Sequence, residues 1–393
     1  VLREALAGKT IAITGSTGFL GTALVERLLR CVPDCQLALL VRPGRRGPAE
    51  RVKREVLKNN CFDRLRGELG DRFDATTSAR VKVMAGDVGQ EGLGLDARGR
   101  DLLASADVVV HSAATVSFDS PLDTAVEINL LGPSRVAQTL NDLHPEGPWP
   151  HLVAVSTAYV AGARRGRAPE ATLDSTPWAT ELAWRPEVDY ARRARADADA
   201  ASREPKMLAR FARLARRELG AAGTPLLAAR TEKLRAEWVD QRMVELGKAR
   251  AQGLGWPDAY AYTKALGERA LLENRGALPL SIVRPSIIES ALREPEPGWI
   301  RGFRMADPII ISYAKGLLRE FPGVPEGIID VIPVDLVVSA ILAVAARGPQ
   351  PEPEVVHSAS GERNPLRYRH LVELVREWFL AYPLLDAQDQ PIS

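Results

Sequence analysis

Cysteine is scarce in this 393-residue chain: Cys31, Cys35 and Cys61 are the whole set. Their odd number, the lack of CxxC spacing and the lack of histidines at zinc-ligand spacing argue against a disulfide scaffold and a structural metal. A reducing, cytoplasmic compartment follows as the expectation. Long apolar runs are missing too. The most apolar late stretch, Leu336 to Ala346, covers 11 residues, whereas a membrane-spanning helix needs about 20. No charged segment followed by an apolar one opens the chain, so no signal peptide is expected. Residue 1 is valine, which leaves room for a longer polypeptide. Neither sign of charge dominates, with 52 Lys+Arg against 50 Asp+Glu, and no nucleic-acid partner is expected. Internal repeats and low-complexity tracts are absent. With 46% apolar and 26% charged residues, the composition is that of a globular protein of two domains, or of one large core with a substantial attachment.

Six short β-branched and leucine-rich runs are present: 9–14, 36–42, 80–84, 107–111, 151–156 and 280–284. They read as buried parallel strands, and the helical spacing between them, such as Leu20, Leu24 and Leu28 after the first, predicts a doubly wound α/β sheet. The alternation breaks between Gly162 and Trp256. There the Ala, Leu, Arg and Glu content predicts two or more helices, with a break at 220–225. Residues 191–250 hold 15 Lys+Arg against 8 Asp+Glu, a net of +7. Beyond residue 290 the sequence predicts a helix at 333–346, a short strand at 354–359 and a C-terminal helix around 368–380. The expected organisation is a nucleotide-binding domain from 1–162 and 257–290, a helical basic insertion at 163–256 and a substrate-binding region at 291–393.

Between the first strand and first helix stands Gly15-Ser16-Thr17-Gly18-Phe19-Leu20-Gly21. Glycines let a phosphate approach the backbone, and the helix start offers unsatisfied amides and a positive dipole end. A dinucleotide pyrophosphate is the expected guest, against the plainer reading of a tight turn. An acid at the end of the second strand would suit a free ribose 2′-hydroxyl. Here Arg42, followed by Arg45 and Arg46, suits a 2′-phosphate, so NADPH is the expected cofactor. After the third strand, Asp87 and Val88 stand where an adenine could be met, though Asp87 reads equally well as a helix cap.

Tyr260 and Lys264 lie one helical turn apart, a spacing that shares a helix face. A lysine ammonium beside a phenol favours the phenolate, so this pair is expected to exchange a proton near neutral pH. Ser156 and Thr157 end a buried strand, at the sheet edge where ligands bind, and either hydroxyl could donate to a substrate carbonyl.

Taken together, the glycine fingerprint, the strand-end hydroxyl and the downstream YxxxK resemble the extended short-chain dehydrogenase/reductase superfamily. More narrowly, ITGSTGFLGTALVERLLR, LALLVRP, HSAATVSF, EINLLGP, VSTAYVAG, YAYTKALGE, IVRPSIIES, EPEPGW and VIPVDLVV are similar to the reductase domain of the fatty acyl-CoA reductases. The resemblance implies a Rossmann fold with a smaller, mostly helical substrate-binding region. It implies Thr157, Tyr260 and Lys264 as the catalytic set, with Tyr260 and Lys264 also touching the cofactor. Pro285, Ser286 and Ile287 would lie against the nicotinamide, Ala113 and Ala114 would form the floor of the cofactor site, and Asn129 would support it. The residues assigned to substrate are Ser156, Tyr159, Trp299, Arg213 and Arg217, the two arginines for the phosphates of CoA. The implied reaction is NADPH-dependent reduction of a fatty acyl-CoA thioester to an aldehyde by direct hydride transfer, with onward reduction to the alcohol left open. A carrier-protein thioester reductase, a nucleotide-sugar epimerase or dehydratase, and a non-catalytic NADP sensor are the competing readings. Oligomeric state and peripheral membrane contact stay open.

Overall fold

The computed structural model describes residues 2–176, 183–220, 223–302, 306–318, 320–321 and 323–392. Its centre is a sheet of seven parallel strands, β1 (Thr10–Thr14), β2 (Gln36–Val41), β3 (Val81–Ala85), β4 (Val108–His111), β5 (His151–Val155), β6 (Leu280–Pro285) and β7 (Glu354–Ser358). The strands run in the order β7-β6-β5-β4-β1-β2-β3. The order reverses beside β1, which pairs Ile11 with Leu37 of β2 and with Val108 of β4. That reversal opens a crevice at the carboxyl ends of β1 and β4, where an α/β sheet binds its ligand.

Alternate residues of the strands feed two cores. On one face Ile11, Ile13, Leu37, Leu39, Val153 and Val283 pack under helix α1 (Phe19–Cys31). On the other, Ala12, Leu40, Val109, Leu152 and Ile282 meet α2 (Leu131–Leu143) and Leu271 of the later helix α6. A π turn over Val126–Leu130 runs straight into α2. Such turns place one extra residue in a helix and recur at functional sites.

The basic insertion folds as three helices, α3 (Trp184–Ser202), α4 (Pro205–Leu219) and α5 (Thr224–Gly253), with α4 and α5 separated where the glycines predict a break. Residues 177–182 and 221–222 lie outside the described residues. A third core joins this insertion to α6 (Ala259–Asn274): Val188, Ala191, Val239 and Met243 pack with Leu122, Val126, Tyr262 and Leu266.

The expected boundary at residue 290 does not hold. Helix α7 (Val334–Arg347) packs on the same core as α1, and β7 extends the sheet by pairing with β6. Burial of their apolar faces requires this, since Val337, Val338 and Ile341 are as buried as the strands they cover. The EPEPGW segment is tied down on both sides. Glu294 accepts from Arg27, Arg30 and Arg64, and Asp335 at the start of α7 accepts from the amides of Leu292 and Arg293. Helix α8 (Tyr368–Ala381) closes the described chain, with Leu374 and Trp378 exposed.

Behind α6, Arg284 of β6 donates twice to Glu268, at 2.9 and 2.6 Å, and both side chains are at most 4% exposed. Removing one partner of such a pair leaves the other charge buried, so Glu268→Ala should cost about 3–5 kcal/mol of unfolding free energy in urea melts. Glu268→Leu combined with Arg284→Met should restore most of it.

Candidate active site

Gly15 takes φ +78°, and a Cβ there would stand 2.6 Å from the amide nitrogen of Ala113. The loop thus lies directly on the end of β4, held also by the Ala113 amide donating to Thr14 Oγ1 at 3.2 Å. Gly21 has equally little room, its virtual Cβ being 2.2 Å from the Gly15 carbonyl oxygen. Gly18 caps α1 with no side-chain bond, so the amides of Leu20 and Gly21 in its first turn keep no intrahelical acceptor. A bare cradle with an uncapped helix start beside it fits a dinucleotide pyrophosphate. Ser16 and Thr17 belong to the same loop, and Ser16 Oγ is buried without a partner among the described residues. Arg42 and Arg45 are exposed just beyond β2, and Arg51, which the sequence reading passed over, donates to the Arg42 carbonyl at 3.2 Å. Asp87 uses one carboxylate oxygen on the amide of Gly89, at 2.8 Å, and Val88 packs in the core under Gly132.

The second half of the site is built by β4, β5, β6 and α6. Thr157, just past β5, is buried and donates to the Pro285 carbonyl at 3.4 Å. Its hydroxyl also lies close enough to the Tyr260 phenol to hold down that group's pKa. Geometry therefore separates two residues that the sequence left in competition: Thr157 meets Tyr260, while Ser156 Oγ is buried on the wall of a small cavity with Lys264, Asn129 and His111. Lys264 donates to the Val155 carbonyl at 3.0 Å. Asn129, in the π turn, exchanges two 2.9 Å bonds with the backbone of Thr115 and donates to Thr263 Oγ1 at 3.3 Å. Ser286 and Ile287 leave β6 through backbone bonds to Ser358 and Asp330. Ala114 lies in the loop after β4, which carries Phe118 edge-on to the Tyr260 ring, centroids 6.2 Å apart. Tyr159 is 39% exposed; burial of its phenol, and the charges of Asp330 and Asp258, raise its pKa.

Electrostatically the resting site differs from the expectation. Burial pushes the Tyr260 phenol up to about 12, the nearby Thr157 hydroxyl drawing it partly back and the Asp258 charge adding to the rise. Burial instead pulls Lys264 down to about 8, with Glu268 opposing. His111, bonded to Thr14 at 2.8 Å, is held neutral down to about pH 3 by burial and by the Lys264 charge.

Three substrate assignments are corrected. Trp299 is buried against Phe19, ring centroids 5.2 Å apart, and donates to Asn60, so it belongs to the core beneath the glycine loop. Arg213 and Arg217 are exposed on α4, which packs on α5 at Trp238 through Phe211. From there to the end of α5 is a rise of about 20 Å, so these arginines stand on the outer part of the insertion. Nearer cations are Arg164, Arg165 and Arg167, exposed where the chain leaves the Thr157 turn. The ARRGR run was their signal.

Fold and site together define an oxidoreductase that binds a nicotinamide dinucleotide, of the extended short-chain dehydrogenase/reductase type. Comparisons narrow this class. The family described as "Male sterility protein" matches residues 13–341. Fatty acyl-CoA reductase 2, chloroplastic, of Arabidopsis thaliana is 35% identical over 98% of this chain, which spans 60% of that protein's length. The alcohol-forming fatty acyl-CoA reductase of Simmondsia chinensis is 34% identical over 99% of this chain and 74% of its own. Among solved structures, the terminal R domain of the myxalamid PKS-NRPS pathway aligns with TM-score 0.57 at 21% identity, covering 94% of this chain and 70% of that one. The reductase domain of a nonribosomal peptide synthetase from Mycobacterium tuberculosis gives TM-score 0.55 at 20% identity, covering 96% and 74%. These two show the shared fold. The chain belongs to the male sterility protein family, whose relatives above carry the name fatty acyl-CoA reductase.

Gly21→Ala should lower dinucleotide affinity at least about tenfold in a fluorescence titration, because the new methyl must displace the Gly15 carbonyl. A second expectation follows from His111. The unfolded chain binds its proton near pH 6.5 and the folded chain only near about 3, so unfolded protein holds more protons between those values. Stability is complete above pH 6.5 and falls as the pH drops towards 3. Acid-dependent melts of His111→Gln should lose part of that slope.

Proposed function

We propose that this chain reduces a fatty acyl-CoA thioester with NADPH to the fatty aldehyde, with the primary alcohol as the product of a second reduction. The nearness of the Thr157 hydroxyl to the Tyr260 phenol carries this reading, at the crevice beside a bare glycine cradle. When bound, NADPH supplies the hydride. Gly15 to Gly21 would hold its pyrophosphate, Arg42 and Arg45 its 2′-phosphate, and Ala113, Ala114, Pro285, Ser286 and Ile287 would border its nicotinamide.

The thioester carbonyl oxygen would be received by Tyr260 and by Thr157, whose hydroxyl would turn from the Pro285 carbonyl to the oxygen on which negative charge develops. Loss of the thiolate from the tetrahedral hemithioacetal restores a carbonyl as aldehyde. In a second reduction Tyr260 gives its proton to the alkoxide. With Tyr260 raised to about 12 at rest, the phenol keeps its proton at neutral pH and acts as donor. Lys264 would exchange its Val155 bond for the cofactor's ribose, bringing its charge to the phenol. Arg164, Arg165 and Arg167 would meet the CoA phosphates. No acyl-enzyme on cysteine is involved: Cys35 and Cys61 are buried in the core beside α1, and burial raises both thiols, which disfavours the reactive thiolate. Among the described residues no helix is long and apolar enough to cross a membrane, and the free cysteines suit the cytoplasm.

The test is direct: NADPH oxidation with palmitoyl-CoA, followed by product analysis. Tyr260→Phe should abolish turnover while still binding NADPH, and the triple Cys→Ser variant should keep it. Arg42→Ala should weaken NADPH by roughly 10- to 150-fold, the worth of one charge-assisted bond, and NADH far less. Absence of NADPH-dependent acyl-CoA reduction by the intact protein overturns the reading.

A further inference from the structure

The insertion meets the catalytic helix through one buried carboxylate. Glu187, in the first turn of α3, accepts from Arg250 of α5 at 2.8 and 2.5 Å and from the phenol of Tyr262 on α6. Three helices therefore converge on two oxygens. Glu187 is 6% and Tyr262 1% exposed, and Arg250 also lies over the Tyr190 ring, 5.3 Å from its centroid. Burial raises the Glu187 carboxyl, but the bonds from Arg250 and Tyr262 outweigh it and hold it below its ordinary range. Tyr262 stands two residues after Tyr260, so the two phenols leave the helix about 200° apart. One faces Thr157 and the other faces the insertion. The same Tyr262 ring packs on Trp256, centroids 5.9 Å apart, and Trp256 donates to the Val160 carbonyl in the turn that follows Thr157.

We propose that Glu187, with Arg250 and Tyr262, is a positioning cluster: the insertion grips the first turn of α6 from behind and thereby sets the approach of Tyr260 to Thr157. The physical reason lies in the helix start itself. Apart from the Asp258 cap, whose carboxylate accepts from Ala261 at 2.8 Å, the first turn of a helix has few bonds of its own and frays readily. Tyr260 sits in that turn. A phenol anchored on the opposite side limits both the rotation and the fraying of the turn, and small displacements of a reacting group are costly. The cation at Arg250 is what allows Glu187 to stay ionised and accept both partners in a buried place. Of the net charge of +7 in residues 191–250, the Arg250 cation is matched by Glu187, an acid outside that stretch.

This inference rests on the proposed role of Tyr260, and its test separates the two. Tyr262→Phe removes one hydroxyl and leaves Glu187 paired with Arg250, so the fold should survive; Glu187→Gln is the second variant. Arg230→Gln, which breaks an ion pair to Glu218 on the outer insertion, is the control. Hydrogen exchange of peptides spanning 257–266 and 156–162 is measured for wild type, the two variants, their combination and the control, beside kcat and KM for palmitoyl-CoA and the Kd of NADPH. Tyr262→Phe and Glu187→Gln should exchange about tenfold faster in those two peptides alone. They should lower kcat about tenfold, leave KM and the NADPH Kd within twofold, and be no worse in combination than singly. Arg230→Gln should match wild type. Unchanged exchange in the two peptides, or unchanged kcat in an active enzyme, overturns the positioning role. Wild-type protein that shows the exchange pattern but no acyl-CoA turnover overturns the proposed reaction and leaves the grip standing.

Discussion

Two helices touch backbone to backbone where Gly267 meets the π turn, and the site depends on that contact. A Cβ on Gly267 would lie 2.2 Å from the Asn129 carbonyl oxygen. Only there can α6 come close enough for Thr263 to receive Asn129 Nδ2 and for Lys264, one turn earlier on the same face, to reach the Val155 carbonyl. The π turn supplies the other half of the fit, since its extra residue brings Asn129 inward against the loop at Thr115. Sheet, crossover helix and catalytic helix are thereby fixed relative to one another at the level of main-chain atoms.

Such close packing has an electrostatic consequence. Water is excluded from Lys264 and His111, and these two groups and the half-buried Tyr260 are each driven towards the neutral form. The same exclusion strengthens whatever charge interaction a ligand later brings. Lys264 holds a carbonyl that it must release, and His111 and Ser156 face the same cavity with buried polar atoms unmatched among the described residues.

Much of this was legible in residue patterns because those patterns report local backbone demands. Continuous β-branched runs mean strands buried on both faces, and the six strands expected at 9–14 through 280–284 agree with the sheet to within a residue or so at each end. Glycine at 15 and 21 reports backbone contacts that no other residue could make. What the patterns could not report was relative placement of distant segments. Trp299 looked like a candidate for a crevice wall, yet an aromatic residue carries the same code for core and channel, and only the ties of Glu294 and Asp335 decide that it lands on Phe19. Arg213 and Arg217 follow Thr157 in sequence but stand a long helix away from it. Glu187, Arg250 and Tyr262 are separated by 63 and 75 positions, and an acid, a base and a phenol so far apart carry no joint signal until three helices bring them together. The phenol's pKa went the other way from expectation because helical spacing predicts proximity, whereas burial decides where a lysine spends its bonds.

The insertion leaves and rejoins the sheet through a narrow stitch: the Ala163 amide donates to the Gly255 carbonyl at 2.8 Å, Trp256 donates to Val160, and Gly162 has room only for hydrogen beside Gly255. A segment closed at its base in this way is, to the rest of the chain, a loop of fixed mouth and free length. Doubling the chain between such ends costs about 0.6 kcal/mol in closure entropy, little beside the stability of a folded domain. The body of the insertion is therefore interchangeable cargo on a fixed base: its helices can be lengthened, shortened or recharged at little cost to the sheet, so long as an acceptor returns to the back of α6.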